Sequence, residues 1–314
     1  MENGKSFLLF AGTSHPEMAQ QVASCLGIQL GKVKIETFPD GEIGVHVLEN
    51  VRGRDVFVLQ SVARHPNSYL MEMLILVDAL KRASAHSITA VIPYYGYARQ
   101  DRRGTEREPI TAKLVADLLE RAGVARVLTM DLHTEQIQGF FDIPVDNLYA
   151  RPVLVEAVVK WGLKSCVVVA PDIGSSKLAR RFAEALKVDF AVIDKRRVDA
   201  KHVELNALIG DVKDKDVLLV DDICSTGDTL KSAAMVCKKA GAKRVFVAVT
   251  HGLFVGNPFE GSAIEKILIS NTVPLQGTVD RGQVEVVSVA GLFGKAIDSM
   301  VGAKSISSLF NPSK

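Results

Sequence analysis

Short runs of aliphatic and β-branched residues recur along the chain, and longer stretches with apolar positions at helical spacing lie between them. That alternation marks parallel βαβ units, in which a buried strand is followed by a covering helix. It predicts strands at Phe7–Phe10, Val56–Gln60, Ile88–Pro93, Arg126–Met130, Cys166–Ala170, Phe190–Ile193, Val217–Val220 and Val245–Thr250. Helices are predicted between them at Tyr69–Ser84, Thr111–Ala122, Ser175–Leu186 and Thr229–Ala240. Two of these run into Gly123 and Gly241, a common helix stop.

The two halves repeat in type. VFVLQS (Val56–Ser61) resembles CVVVAPD (Cys166–Asp172), ITAVIPYY (Ile88–Tyr95) resembles FAVIDKRR (Phe190–Arg197), and RVLTMDLH (Arg126–His133) resembles DVLLVDDI (Asp216–Ile223). The offsets are all roughly a hundred residues, so a duplicated α/β domain is expected, each copy a mostly parallel sheet flanked by helices. The change-over falls near Ile143–Pro152, where periodicity fades and Pro152 suits the first turn of a helix. The expected division is 1–147, joined by C-terminal residues 298–314, and 148–297.

Composition narrows the function classes. The 314 residues are 47% hydrophobic and 24% charged, as in an ordinary globular protein with a full core. A net charge of +2 gives no reason to expect nucleic acid or an anionic membrane as partner. No apolar run approaches the ~20 residues of a membrane span, and the N-terminal apolar patch is too short for a signal peptide. Cys25, Cys166, Cys224 and Cys237 show no C-x-x-C spacing, which fits reduced thiols and a cytoplasmic location.

The chemistry concentrates at predicted strand ends, where open parallel sheets bind ligands. In VLLVDDICSTGDT, Asp221 and Asp222 follow an apolar run. Successive strand side chains oppose one another, so both acids can face a ligand only if the strand is ending there. Ser225, Thr226, Gly227, Asp228 and Thr229 then supply backbone amides and a helix N-terminus that can cradle an anion. Two acids beside such a cradle suit a sugar phosphate. The same Ser, Thr and Asp could instead serve only as helix caps. No G-x-x-x-x-G-K-[ST] occurs, which argues against a P-loop enzyme.

Lys195 and Arg197 share one strand face and can clamp a polyphosphate, with the polar stretch VDAKHVE after them as a candidate lid. Asp131 and His133 are expected on one face at another strand end. Asp172, ending CVVVAPD, offers the oxygen ligand that Mg²⁺ prefers. Phe38, Asp40, Gly41 and Glu42 form an aromatic, acidic turn. In YYGYARQDR, three tyrosines precede Arg99, Gln100 and Asp101, a set that suits a purine nucleotide.

Taken together, FPDGE, IPYYGYARQDR, REPITAKL, DLHTEQIQGFFDIPVD, APDIGSSK, IDKRR, VLLVDDICSTGDT and SISSLF resemble the ribose-phosphate diphosphokinases, also called phosphoribosyl pyrophosphate synthetases, of the bacterial-type class I. The resemblance runs nearly end to end. It implies two phosphoribosyltransferase-like domains and transfer of diphosphate from ATP to ribose 5-phosphate. It further implies that Phe38 stacks on adenine while Asp40, Gly41, Glu42, Arg99, Gln100 and Asp101 complete the ATP site. His133 and Asp172 would belong to an Mg²⁺ site, and Lys195 and Arg197 would stabilise the transition state. Asp221 and Asp222 would take the ribose hydroxyls, and Ser225 to Thr229 the 5-phosphate. Arg52, Arg82, Ser84, Ser305, Ser307 and Phe310 are candidate regulatory positions, and a homo-oligomer, a hexamer built from dimers, is implied.

The chain departs from the family pattern at Asp228, where the phosphate turn usually has Gly, and at Ser175, also usually Gly. Asn50 and Glu106 differ from regulated bacterial members. A phosphoribosyltransferase that consumes the diphosphate product, or a non-catalytic subunit associated with the synthetase, remain alternative readings at this point.

Overall fold

The structure is a computed structural model. It describes residues 7–197, 204–256, 258–275 and 282–306, with only the backbone of 195–197 and 204–206. The chain forms two compact units. The first comprises Met1–Tyr149, Thr272–Pro274 and Ser288–Lys314; the second comprises Ala150–Asn271 and Leu275–Val287.

The first unit begins with β1 (Phe7–Ala11), α1 (Pro16–Leu26), and a hairpin of β2 (Val33–Thr37) and β3 (Ile43–Val47). It continues through β4 (Asp55–Leu59), α2 (Pro66–Arg82), β5 (Ser87–Ile92), α3 (Thr111–Ala122), β6 (Arg126–Met130) and β7 (Val145–Leu148). The sheet order is β1-β4-β5-β6-β7, all parallel. Strands covered on both faces need unbroken apolar sequence, as in the buried DVFVL of β4. Phe10, Val58, Leu76, Leu80, Ala90 and Leu119 form the centre of the core.

The second unit begins with α4 (Arg151–Lys160), with Pro152 in its first turn as expected. Then follow β8 (Cys166–Ala170), α5 (Ser176–Leu186), β9 (Asp189–Arg197), β10 (Glu204–Ile209), β11 (Asp216–Cys224), α6 (Asp228–Lys239), β12 (Arg244–Gly252), β13 (Lys266–Ser270) and β14 (Val284–Val287). Helix α7 (Ala290–Val301) returns to the first unit, where Gly294 lets it approach Cys25 of α1 closely. The second sheet runs β10-β9-β8-β11-β12-β13-β14, and only β9 and β10 are antiparallel.

All the strands and helices expected from the pattern are present. The correspondence expected between the halves is not. It matched β4, β5 and β6 to β8, β9 and β11. In space β5 lies between β4 and β6, whereas β8 lies between β9 and β11. Strand order instead matches β1 to β8 and β4, β5, β6 and β7 to β11, β12, β13 and β14; by chain order the antiparallel β2–β3 hairpin, a separate two-stranded sheet, corresponds to the antiparallel β9–β10 pair. Buried parallel strands all look alike in sequence, so a frame one strand out of step scores as well as the true one.

Candidate functional site

The acids of the second unit lie on an overhang. Strand β8 pairs with β11 only as far as Val169 opposite Leu219. Strand β12 pairs further, with Asp221 opposite Val249 and Cys224 opposite Gly252. The expectation that β11 ends at the two acids is therefore corrected. The strand runs through both, and only its β8 edge has ended.

Asp221 is held firmly on that open edge. Its Oδ1 lies 2.7 Å from Ser175 Oγ and accepts the Asp222 N–H at 3.0 Å. Asp172, from the turn after β8, accepts at its own Oδ1 from the Ser175 N–H at 3.0 Å, with Ser175 Oγ 3.1 Å away. Burial, and then the charge of Asp222, push the Asp221 carboxyl well above the usual carboxylate range; Asp172 adds to the rise and the Ser175 hydroxyl opposes it.

The turn from β11 into α6 is set by Gly227, which is the N-cap at φ 78°. A Cβ there would lie 2.6 Å from the Pro258 carbonyl oxygen. Asp228 is not the capping residue that its sequence position suggested. It is the first residue of the helix; its Oδ2 accepts from Thr226 Oγ1 at 2.8 Å and its Oδ1 lies 3.2 Å from Lys231 Nζ. The Thr226 hydroxyl and then Lys231 hold its carboxyl below the usual range. Ser225 and Thr229 are partly buried and Thr226 is exposed, so the turn presents its hydroxyls at the surface. Lys231 went unnoticed in the sequence, although its i,i+3 spacing from Asp228 was the available signal.

Lys195 and Arg197 lie on β9, their backbones opposite Asn206 and Glu204 of β10. The basic run is thus part of a strand pair. Most of the expected lid, residues 198–203, lies outside the described residues.

In the first unit, Phe38 to Glu42 form the tip of the β2–β3 hairpin. Phe38 N–H donates to the Glu42 carbonyl at 2.8 Å, and Asp40 Oδ1 accepts from the Glu42 N–H at 3.1 Å. Gly41 turns the chain at φ 93°. Phe38 is 44% exposed, an unusual position for a large aromatic ring. Its ring lies over Gly44, where a Cβ would sit 2.9 Å from it.

The tyrosines of YYGYARQDR are corrected in part. Tyr94 and Tyr95 are buried. Tyr95 donates to the Ala112 carbonyl at 3.0 Å and meets the Phe141 ring edge-on at 5.9 Å, so it belongs to the core. Burial raises its pKa. Tyr97 reaches Asn67. Arg99 and Gln100 are exposed beyond β5, with Gln100 Oε1 accepting from Thr111 Oγ1 at 2.5 Å.

Asp101 Oδ2 accepts from Thr134 Oγ1 at 2.9 Å and so joins this loop to the one after β6. In that second loop Asp131 has φ 39°, which ends strand alternation. Asp131 and Leu132 are buried and His133 is exposed, so the shared face expected for Asp131 and His133 is not formed.

Among the regulatory candidates, Arg82 ends α2, and Arg52 and Ser84 lie on adjoining loops of the first unit. The Gly53 N–H donates to the Ser84 carbonyl at 2.8 Å, and Arg82 pairs with Asp78 at 2.7 Å. Ser305 is exposed; Ser307 and Phe310 lie outside the described residues. Among the described residues no group of three or more His, Cys, Asp or Glu could hold a metal ion by itself, and no helix is long and apolar enough to cross a membrane. The four cysteines are free, and burial pushes the Cys224 and Cys237 thiols up to about 12.

A mostly parallel sheet whose central strand delivers acids to a glycine-hinged turn and helix defines a protein of the phosphoribosyltransferase fold class. Residues 7–123 match the family described as the N-terminal domain of ribose phosphate pyrophosphokinase, and residues 153–261 match the phosphoribosyl transferase domain. The chain belongs to the ribose-phosphate pyrophosphokinase family, a family of transferases. It is 50% identical over 317 residues to the ribose-phosphate pyrophosphokinase of Clostridium perfringens, covering 99% of each chain. It is 47% identical to that of Wolinella succinogenes, covering 98% of this chain and 99% of the relative. The crystal structure of phosphoribosylpyrophosphate synthetase from Mycobacterium smegmatis superposes with a TM-score of 0.90 at 41% identity, covering 95% of this chain and 100% of that one.

Proposed function

We propose that this chain transfers the diphosphoryl group of ATP to the anomeric hydroxyl of ribose 5-phosphate, giving 5-phosphoribosyl 1-diphosphate and AMP. The anomeric hydroxyl oxygen bonds to the β-phosphorus and gives up its proton to solvent, the bond from that phosphorus to the α,β-bridging oxygen breaks, and AMP leaves with that oxygen. The observation that carries this reading is the overhang of β11, where Asp221 and Asp222 stand one short turn from an exposed, hydroxyl-rich helix entry. Vicinal ribose hydroxyls donate to the acids. The 5-phosphate accepts from the amides and hydroxyls of Ser225 to Thr229, at the positive end of α6.

In the first unit, the exposed Phe38 ring takes the adenine face. Asp40, Gly41, Glu42, Arg99, Gln100 and Asp101 supply the remaining ATP contacts. Lys195 and Arg197 neutralise charge that grows on the transferring phosphates.

The metal is Mg²⁺, with His133 and Asp172 assigned to it by resemblance. Mg²⁺ binds through one or two carboxylates and completes its shell with water and substrate phosphates, and Asp172, in the turn after β8, offers one such carboxylate. When bound, it would neutralise phosphate charge. The protein works as a cytoplasmic homo-oligomer, a hexamer of dimers, and Arg52, Arg82, Ser84, Ser305, Ser307 and Phe310 are assigned to its regulation.

The test is AMP formation by the pure protein. It should require ATP, ribose 5-phosphate and Mg²⁺ together. Folded protein that binds ATP but makes no AMP would favour the non-catalytic reading, and base-dependent release of diphosphate would favour the phosphoribosyltransferase one.

A further inference from the structure

Ser175 stands where the end of β8 meets the open edge of β11. Asp172 follows β8 and Asp221 lies on β11, and the Ser175 hydroxyl is within hydrogen-bond distance of an oxygen of each. The residue is buried, at 9% exposure. One hydroxyl has one proton, so it can donate to only one carboxylate at a time. The 2.7 Å contact to Asp221 is shorter than the 3.1 Å contact to Asp172. Asp172 Oδ1 is already served by the Ser175 backbone N–H at 3.0 Å. The hydroxyl proton therefore goes to Asp221.

With the Asp222 N–H, that bond gives Asp221 Oδ1 two donors, which fixes the carboxylate's rotation and aims its other oxygen. The hydroxyl also lies within hydrogen-bond distance of an oxygen of each acid, and the Asp172 charge acts on Asp221. The backbone cannot replace it, because the Ser175 N–H is committed to Asp172.

We infer that Ser175 is a positioning residue, which acts through Asp221 to set the geometry for ribose-hydroxyl recognition. This inference rests on the reading of Asp221 as a ribose ligand. It predicts an effect on one substrate alone. With its orienting hydrogen bond gone, Asp221 would meet the ribose hydroxyls in a less defined geometry, so affinity for ribose 5-phosphate should fall severalfold.

The test combines calorimetric titration of ribose 5-phosphate into wild type and S175A with a double-mutant cycle of S175A and D221A, read in kcat/KM for ribose 5-phosphate. S175A should bind ribose 5-phosphate severalfold more weakly with an unchanged KM for ATP, beside the modest fall in unfolding midpoint that loss of one buried hydrogen bond brings. In the D221A background, S175A should add little, because its partner has gone. Wild-type affinity in S175A would overturn the inference. So would an S175A effect of equal size with and without Asp221, or a loss of affinity matched by a lower unfolding midpoint and a raised KM for ATP. Failure of the wild type to bind ribose 5-phosphate would instead overturn the site reading itself.

Discussion

Gly227→Ala should damage stability and ribose 5-phosphate use together. Two costs add at this position. Gly227 holds φ 78°, and an L-residue in the left-handed region costs roughly 1–2 kcal/mol. The new Cβ would also lie 2.6 Å from the Pro258 carbonyl oxygen and 2.7 Å from the Pro258 Cβ. Neither atom is the end of a flexible side chain, so the turn or the Pro258 segment must shift, at the roughly 1–3 kcal/mol typical of overpacking. The sum is roughly 2–5 kcal/mol, or a midpoint lower by roughly 4–20 °C in a domain of this size.

The chain's only tryptophan, Trp161, belongs to the second unit, so its fluorescence reads this transition directly. Gly261→Ala is the control. Gly261 has φ 66° but open space around a Cβ, so it should show the strain cost without the collision. Because the displaced turn is the proposed phosphate cradle, KM for ribose 5-phosphate should rise in G227A and stay unchanged in G261A. Equal midpoints in the two variants, or an unchanged ribose 5-phosphate KM in G227A, would refute the argument that packing against Pro258 shapes the cradle.

Three other substitutions probe different parts of the molecule. Asp228→Asn removes a negative charge beside the cradle and should lower KM for ribose 5-phosphate by roughly two- to fivefold, with the unfolding midpoint nearly unchanged because the side chain is exposed. Asp228 has a lowered pKa, so it is charged above the carboxylate range, and the difference from wild type should vanish only as pH falls through that lowered value. Phe38→Ala should raise KM for ATP by roughly tenfold, a typical loss for one aromatic stacking partner, and hardly move the midpoint.

Arg244→Ala should destabilise the second unit by about 2–3 kcal/mol. It strands the buried Asp216 carboxylate, which accepts two Arg244 bonds at 2.9 and 2.6 Å, but Arg244 itself is 39% exposed. Arg244 is the main cause that lowers the Asp216 pKa, while burial raises it. The stabilisation in wild type is present above the ordinary carboxylate pKa and is lost as pH falls through the lower folded value. In R244A the Trp161-monitored acid transition should therefore begin at higher pH.

Legibility in the sequence followed local pattern. Buried parallel strands and their covering helices stand out because burial on both faces demands unbroken apolar runs. The β2–β3 hairpin did not. VKIET and IGVHV are at most half-buried, and VKIET carries Lys34 and Glu36, so they lack that signature. The site motifs were visible as residue types at strand ends, and the chain's loops do bring Asp221, Asp222 and the Ser225–Thr229 turn together as their spacing suggested. What escaped was set by neighbouring strands. Whether β11 ends at Asp221 depends on where β8 stops, and Ser175 can bridge two acids only because β8 and β11 are adjacent. Tyr94 and Tyr95 looked available for a base because sequence gives composition, not the direction of a ring.

The corrected correspondence between the halves gives this architecture its sharpest reading. In the first unit Phe7 pairs with Asp55; in the second Cys166 pairs with Asp216. Continuing in register along each strand, Thr13 falls where Asp172 stands and Gln60 where Asp221 stands. The first unit has thus replaced both acids at its equivalent crevice. It then fills the space from within. Glu72 of α2 accepts from the Thr13 N–H and Oγ1, both at 2.6 Å, and from Gln60 Nε2 at 2.7 Å. Even a methyl group at Gly12 would collide with Gln60 and Glu72. Buried Gln60 and Glu72 thus form, with Thr13, a hydrogen-bonded group where the second unit has Asp172, Ser175 and Asp221. By chain order the β2–β3 hairpin, with Phe38–Glu42 at its tip, falls where the second unit has the β9–β10 pair that carries Lys195 and Arg197. On the proposed function, the first unit would contribute through its hairpin and the second through its strand-end acids, so one fold used twice would carry two different sets of candidate residues.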